Sequence, residues 1–147
     1  MIITYPNKIL KEKTKPVIDF SDIPKIVKEM EYSMYKENGV GLAAPQINLG
    51  LSIFISGIEK TKVFVNPTIE CYGPIVLKSE GCLSFPGVQL NIKRYAKTRI
   101  KAQDVNGEFF EMDTYGLLAH VIQHEYDHLQ GKLMIDYLPF FKRKKFK

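Results

Sequence analysis

The sequence predicts an α+β fold, and three stretches carry that reading. An amphipathic pattern lies between Ser21 and Gly39, and a second helical pattern runs from near Thr114 to Gly131. Between them, from Leu51 to about Met112, short runs rich in Val, Ile, Phe and Tyr are read as several antiparallel strands.

The first helix opens at Ser21 and Asp22, which are good caps, with Pro24 suited to a first turn. Ile23, Ile26, Val27, Met30 and Met34 recur at i, i+3, i+4, i+7 and i+11, the spacing of an amphipathic helix. It is expected to end near Glu37-Asn38-Gly39, where Asn and Gly tolerate a left-handed residue. The strand-rich stretch is broken at Gly57, Asn66-Pro67, Gly73-Pro74, Gly87 and Asn106-Gly107. Its clearest hairpin pairs residues 99–105 with 109–112 across Asn106-Gly107, a dipeptide that fits a type I′ turn. The second helix carries Leu117, Leu118, Val121, Ile122 and Leu129 at helical spacing and stops at Gly131.

At 147 residues the chain is the size of one domain, taken as 1–147, with 139–147 as a basic tail. Hydrophobic residues make up 45% and charged residues 25%, so disorder is expected only at the termini. No apolar run approaches the roughly 18 residues of a membrane span, and Met1 to Pro6 lacks the order of a secretion signal. The expected address is the cytoplasm, with neither a membrane nor DNA as partner. The two cysteines, Cys71 and Cys82, are weak grounds for a disulfide in such a chain. The net charge of +5 lies partly in Lys142 to Lys147. The simplest reading of that tail is a solvated, frayed terminus, with RNA or an acidic lipid surface as the alternative.

Chemistry is concentrated in His124-Glu125-Tyr126-Asp127-His128. Histidines four apart on a helix point the same way and can grip one metal ion, while Glu125 can lie beside the ion's open position and take a proton from water. Two histidines alone make an incomplete catalytic site, which normally has three protein ligands. The third histidine of H-E-x-x-H-x-x-G-x-x-H is replaced here by Met134, and no Glu follows Glu125. The upstream candidate is Cys82, in the turn-like Glu80-Gly81-Cys82-Leu83-Ser84. Cys71 lies in the strand-like run 69–72 and is read as a small hydrophobe. His120 shares the helix face but would stand roughly 11 Å from His128 along the axis, too far to share an ion. It is expected to line the pocket beside the metal.

The stretch Gly39-Val40-Gly41-Leu42-Ala43-Ala44-Pro45-Gln46 lets another backbone approach closely but lacks the features of a phosphate loop or dinucleotide site. Together with Glu80 to Ser84 and Gln123 to His128, it resembles the three signature motifs of the peptide deformylases, in order and at every fixed position. The similarity runs from the first helix to about Leu138.

The resemblance implies an α+β fold with antiparallel sheets around a central helix that carries the H-E-x-x-H motif, preceded by an N-terminal amphipathic helix. It implies removal of the formyl group from the formylmethionine end of new polypeptides. Carried over by position, Cys82, His124 and His128 hold the metal and Glu125 is the general base. Gln46 and the Leu83 N–H stabilise the oxyanion, and Val40, Gly41 and Gly81 meet the substrate. Glu80 and Arg94 form a supporting pair. His120 departs from the apolar residue that some relatives have in the pocket. The implied ion is ferrous iron, and zinc, nickel or cobalt suit the same donors. Ribosome association by the tail is a further expectation.

Two rival readings keep the helix motif and discard the rest. A small zinc endopeptidase would share the motif but leave Cys82 and Gln46 unexplained. A basic RNA- or ribosome-associated protein with a structural zinc would need a fourth protein ligand, and none is obvious.

Overall fold

The computed structural model describes residues 1–146. Helix α1 spans Ile23–Lys36 and buries Ile23, Val27, Met30, Ser33 and Met34. Asn38 follows it with φ +57°. The amides of Asn38 and Gly39 return to the carbonyls of Tyr35 and Met34, at 3.2 and 2.9 Å, and these bonds satisfy the last turn of the helix.

Five strands then form one antiparallel sheet in the order β1-β2-β3-β4-β5: Gly41–Ala43, Ile53–Ser56, Lys62–Cys82, Phe85–Gln103 and Phe109–Tyr115. Two of these strands are far longer than the sequence suggests. β3 passes through Asn66-Pro67 and Gly73-Pro74 with register shifts against β4 at Val65/Thr68 and Tyr72/Ile75, and Gly73 adopts φ +81°. The breakers therefore make bulges rather than ends, because a bulge tolerates both the missing proline N–H and a left-handed glycine.

The β4–β5 hairpin also differs from expectation. Gln103 pairs with Phe109, and Gly107 N–H donates to the Asp104 carbonyl at 3.0 Å. Only Gly107 of the Asn-Gly pair has positive φ, +82°, whereas a type I′ turn needs both. Asp104 explains the outcome, since its side chain accepts the Asn106 and Glu108 amides at 2.8 and 3.0 Å and stabilises a longer loop.

Helix α2, Gly116–Leu129, starts two residues later than expected because Thr114 remains in β5, buried against Thr98 of β4. It packs on the sheet through Ile122 and Leu129, against Ala43, Phe54, Phe64, Ile100 and Ala102. α1 closes a second cluster over Leu42, Ile53, Ile55 and Val65, and a third joins Leu10 to Phe85, Ile92, Leu133, Met134 and Ile135. The tail is not a frayed end over its described part. Residues 140–146 form tight helical turns, Phe146 meets the Phe85 ring at 6.2 Å, and the Arg143 guanidinium donates to the Leu138 and Asp136 carbonyls. Lys147 lies outside the described residues. No helix among them is long and apolar enough to cross a membrane.

The end of α2 is held by the N-terminal segment. Thr14 donates from both its amide and its hydroxyl to the Leu129 carbonyl, each at 3.0 Å. Gly131, at φ +74°, packs where an added Cβ would stand 2.5 Å from the Lys11 carbonyl oxygen. Gly131→Ala is expected to cost roughly 2 kcal/mol or more, through backbone strain and the clash with Lys11. Gly50→Ala, where a Cβ meets nothing within 4 Å, should change stability by less than about 1 kcal/mol. Urea unfolding of both variants tests this, and equal losses would refute the packing argument.

Candidate active site

The N-terminal ends of β1 and β4, the last residues of β3 and one face of α2 enclose a cavity of about 850 Å³. Its lining includes Val40, Gly41, Gln46, Glu80, Gly81, Cys82, Leu83, His120, His124 and Glu125. Three segments distant in sequence thus converge, as the motifs led us to expect. His128 and Arg94 lie behind the lining, 2% and 4% exposed.

Cys82 is the last residue of β3, and the turn Leu83-Ser84 leads directly into β4. Across from it, the helical period of α2 brings His124 and His128 to one side, with ring centroids 5.1 Å apart. The Cys82 Sγ stands 3.4 Å from His128 Nε2, and one ligand atom each from Cys82, His124 and His128 lies within 4.8 Å of the others. A soft thiolate and two imidazoles are a donor set suited to a first-row divalent ion, and three protein ligands leave a position for water or substrate. These residues could hold such an ion. Cys71 belongs to no such cluster among the described residues and remains a free cysteine in β3.

The orientation of His124 is set from behind. Its Nδ1 meets Glu80 Oε1 at 2.9 Å, which leaves Nε2 to face the other ligands. Glu80 is held in turn by a bidentate contact from Arg94, with Nε to Oε2 at 2.6 Å and NH2 to Oε1 at 2.8 Å. Arg94 NH1 donates to Asp127 Oδ2 at 2.7 Å and to the Tyr137 hydroxyl at 3.0 Å, and Tyr137 itself donates to Asp127 at 2.6 Å. Tyr137 was invisible to motif reasoning, although Asp127 lies inside the helix motif.

Burial works against charge throughout this cluster. For His124 the contacts with Cys82 and Glu80 outweigh it and raise the pKa well above the ordinary value, whereas His128 is driven well below it by burial and by the charge on His124. Burial pushes the Glu125 carboxyl up to about 7, against the pull of His124. Glu125 is only 4% exposed, and its Oε1 has no hydrogen-bond partner among the described residues. Gly41 explains how it fits: a Cβ there would lie 2.6 Å from Glu125 Oε2 and 2.8 Å from Val121 Cγ1. The glycine of the first motif is thus required by the glutamate of the third.

Gln46, 1% exposed, is pinned at both ends of its amide. Its Oε1 accepts the Ala43 N–H at 2.9 Å, and its Nε2 donates to Ser84 Oγ at 3.1 Å, with Cys82 Sγ at 3.6 Å. The Ser84 hydroxyl donates in turn to the Ile3 carbonyl at 2.7 Å, and the amides of Ile3 and Tyr5 donate to the carbonyls of Gln46 and Ser84. The N-terminal segment therefore ties two walls of the cavity together. Sequence reading missed this because residues 1–7 carry no motif, although the fixed Ser of the second motif was a signal for Ser84.

Burial opposes charge on Glu80, yet the hydrogen bonds from Arg94 and His124 prevail and hold its pKa at about 2, below the ordinary 4.5. A depressed carboxyl contributes stability in full above its ordinary value, and that contribution fades as pH falls toward 2. The difference in urea midpoint between the native chain and Glu80→Gln should be widest at neutral pH and shrink on acidification. A difference that grows in acid would contradict this assignment.

The sequence pattern of the polypeptide deformylases matches residues 1–144. Peptide deformylase 1 of Clostridium perfringens is 44% identical over 135 residues, covering 89% of this chain and 92% of that protein. Among solved structures, the peptide deformylase of Legionella pneumophila superposes with a TM-score of 0.93 at 38% identity, over 99% of this chain and 89% of that one. The enzyme of Thermotoga maritima does so with a TM-score of 0.92 at 35% identity, over 95% and 97%. These matches, over nearly the whole chain, show that it belongs to the polypeptide deformylase family.

Proposed function

We infer that this chain is a metal-dependent hydrolase that removes the formyl group from the N-terminal formylmethionine of newly made polypeptides and releases formate. The observation that carries the reading is the meeting of Cys82 and His124, backed by His128, with the buried Glu125 carboxylate and the Gln46 amide at one cavity. The whole of residues 1–147 is taken as a single deformylase unit, acting in the cytoplasm. Neither the endopeptidase nor the RNA-associated zinc reading finds support in the relatives.

Cys82, His124 and His128 would hold one divalent ion, ferrous iron by family resemblance, with zinc, nickel and cobalt compatible with the same donors. When bound, the ion supplies a Lewis acid that makes water nucleophilic near neutral pH. The chain's own groups do the rest. Glu125, with one oxygen unclaimed by protein and its pKa near 7, takes the proton as water oxygen attacks the formyl carbon. Negative charge then collects on the former carbonyl oxygen. Gln46 Nε2 already reaches to 3.6 Å from Cys82 Sγ, so one of its two N–H bonds is aimed at the site while the other is spent on Ser84. With the Leu83 N–H it stabilises that oxyanion, a role in which one donor is typically worth roughly 3 kcal/mol. Glu125 returns the proton to the amine as the C–N bond breaks.

β1 is the edge strand of the sheet, so Gly41, with Val40 just before it, lies where an extended peptide can add as a further strand, and Gly81 faces it from the opposite bank. The methionine side chain fills the apolar part of the cavity near Leu83, Leu117 and Val121.

The test is formate release from formyl-Met-Ala by chain purified without oxygen, beside Glu125→Gln. The native chain should release formate rapidly, and the variant should lose at least about a hundredfold in kcat while retaining its metal, as expected for loss of a general base. Stoichiometric metal without formate release by the native chain would refute the substrate assignment.

A further inference from the structure

One buried polar side chain on the cavity wall has no part in the reaction as described. His120 is 5% exposed, no group among the described residues hydrogen-bonds to its ring, and its Nδ1 is sealed from solvent. It lies on the cavity face of α2 between Leu117 and His124 and lines the cavity with them. With Nδ1 sealed, Nε2 is the nitrogen left to meet a ligand. Lys78 of β3 lines the same cavity, and its charge acts on His120 together with those of Glu80 and Arg94. Burial, then Lys78, lowers the His120 pKa, which favours the neutral ring with its one N–H. Leu117, Leu83 and Val121 are apolar members of the lining, and His120 and Lys78 are polar ones.

A buried hydrogen-bonding group left unpaired costs free energy that a ligand of the right chemistry recovers. For an unbranched side chain the length of methionine, the fitting change is a single acceptor oxygen on sulfur. The sulfoxide is such a side chain, polar and chiral at sulfur. Resting on the deformylase reading above, we propose that His120 fits this cavity to formylated N-termini whose methionine has been oxidised to the sulfoxide, and that Nε2 donates to the S=O oxygen. The bond chemistry is unchanged. Water oxygen adds to the formyl carbon, the C–N bond breaks, formate leaves, and the freed amine retains its sulfoxide. A donor fixed on a helix reads the direction of the S=O bond, so the two sulfur epimers are expected to differ.

The experiment is kcat/KM for formyl-Met-Ala and for each epimer of its sulfoxide, measured on the native chain, His120→Leu and His120→Gln with the same metal. The native chain should process one epimer within about tenfold of the thioether peptide. In His120→Leu the sulfoxide-to-thioether ratio should fall by about tenfold or more, the loss expected when a buried acceptor has no donor. His120→Gln, which keeps an N–H, should recover part of the ratio. An unchanged ratio in His120→Leu, or two epimers processed equally by the native chain, would overturn the proposal. Failure of the native chain on formyl-Met-Ala itself would instead bring down the deformylase reading, and the inference with it.

Discussion

The site depends above all on one buried guanidinium. Arg94 sits in β4, 4% exposed, with its donors divided among Glu80 of β3, Asp127 of α2 and Tyr137 beyond that helix. Taking a cation out of water costs several kcal/mol, and only close, multiple contacts offset that. Once made, those contacts fix the end of β3 relative to α2. They hold Glu80 where it orients His124, and the same strand two residues on delivers Cys82 to His128. Removing one partner from such a cluster typically costs about 3–5 kcal/mol, since it leaves a charge buried and unmatched.

The cavity side of the site depends on small residues for a related reason. Gly41 lets Glu125 lie against the backbone of β1, and Gly39 leaves room for the Leu83 side chain, whose Cδ1 would be 2.7 Å from an added Cβ. Close packing excludes water from the Glu125 carboxyl, and exclusion of water raises its proton affinity to a value useful near neutral pH. The same backbone approach that makes the glutamate fit therefore makes it basic. Ser84 and the Ile3-to-Tyr5 segment complete this side by locking the Gln46 amide in one orientation.

Local chemistry was readable wherever a short stretch decides it. The close of α1 at Asn38-Gly39 and of α2 at Gly131 followed from residues that tolerate positive φ, and the four-residue spacing of His124 and His128 puts both on one side of α2. What depends on distant partners was not readable. The Gly-Pro and Asn-Pro pairs inside β3 look like strand ends until β4 lies alongside to accommodate them as bulges. Asn106-Gly107 looks like a type I′ turn until the Asp104 side chain captures two amides. The basic tail looks frayed until Phe146 meets the Phe85 ring. In each case a contact far along the chain or one neighbouring side chain overrode a local preference.

The end of β3 and one side of α2 bring one sulfur and two imidazole donors close enough to share a single ion. The most direct test is X-ray absorption at the metal edge on protein purified without oxygen. One sulfur and two nitrogen scatterers are expected in the first shell, at about 2.3 and 2.0–2.1 Å if the ion is zinc. Cys82→Ser should remove the sulfur scatterer, whereas Cys71→Ser should retain it. A first shell without sulfur, or a sulfur signal that survives Cys82→Ser, would rule out Cys82 as a ligand.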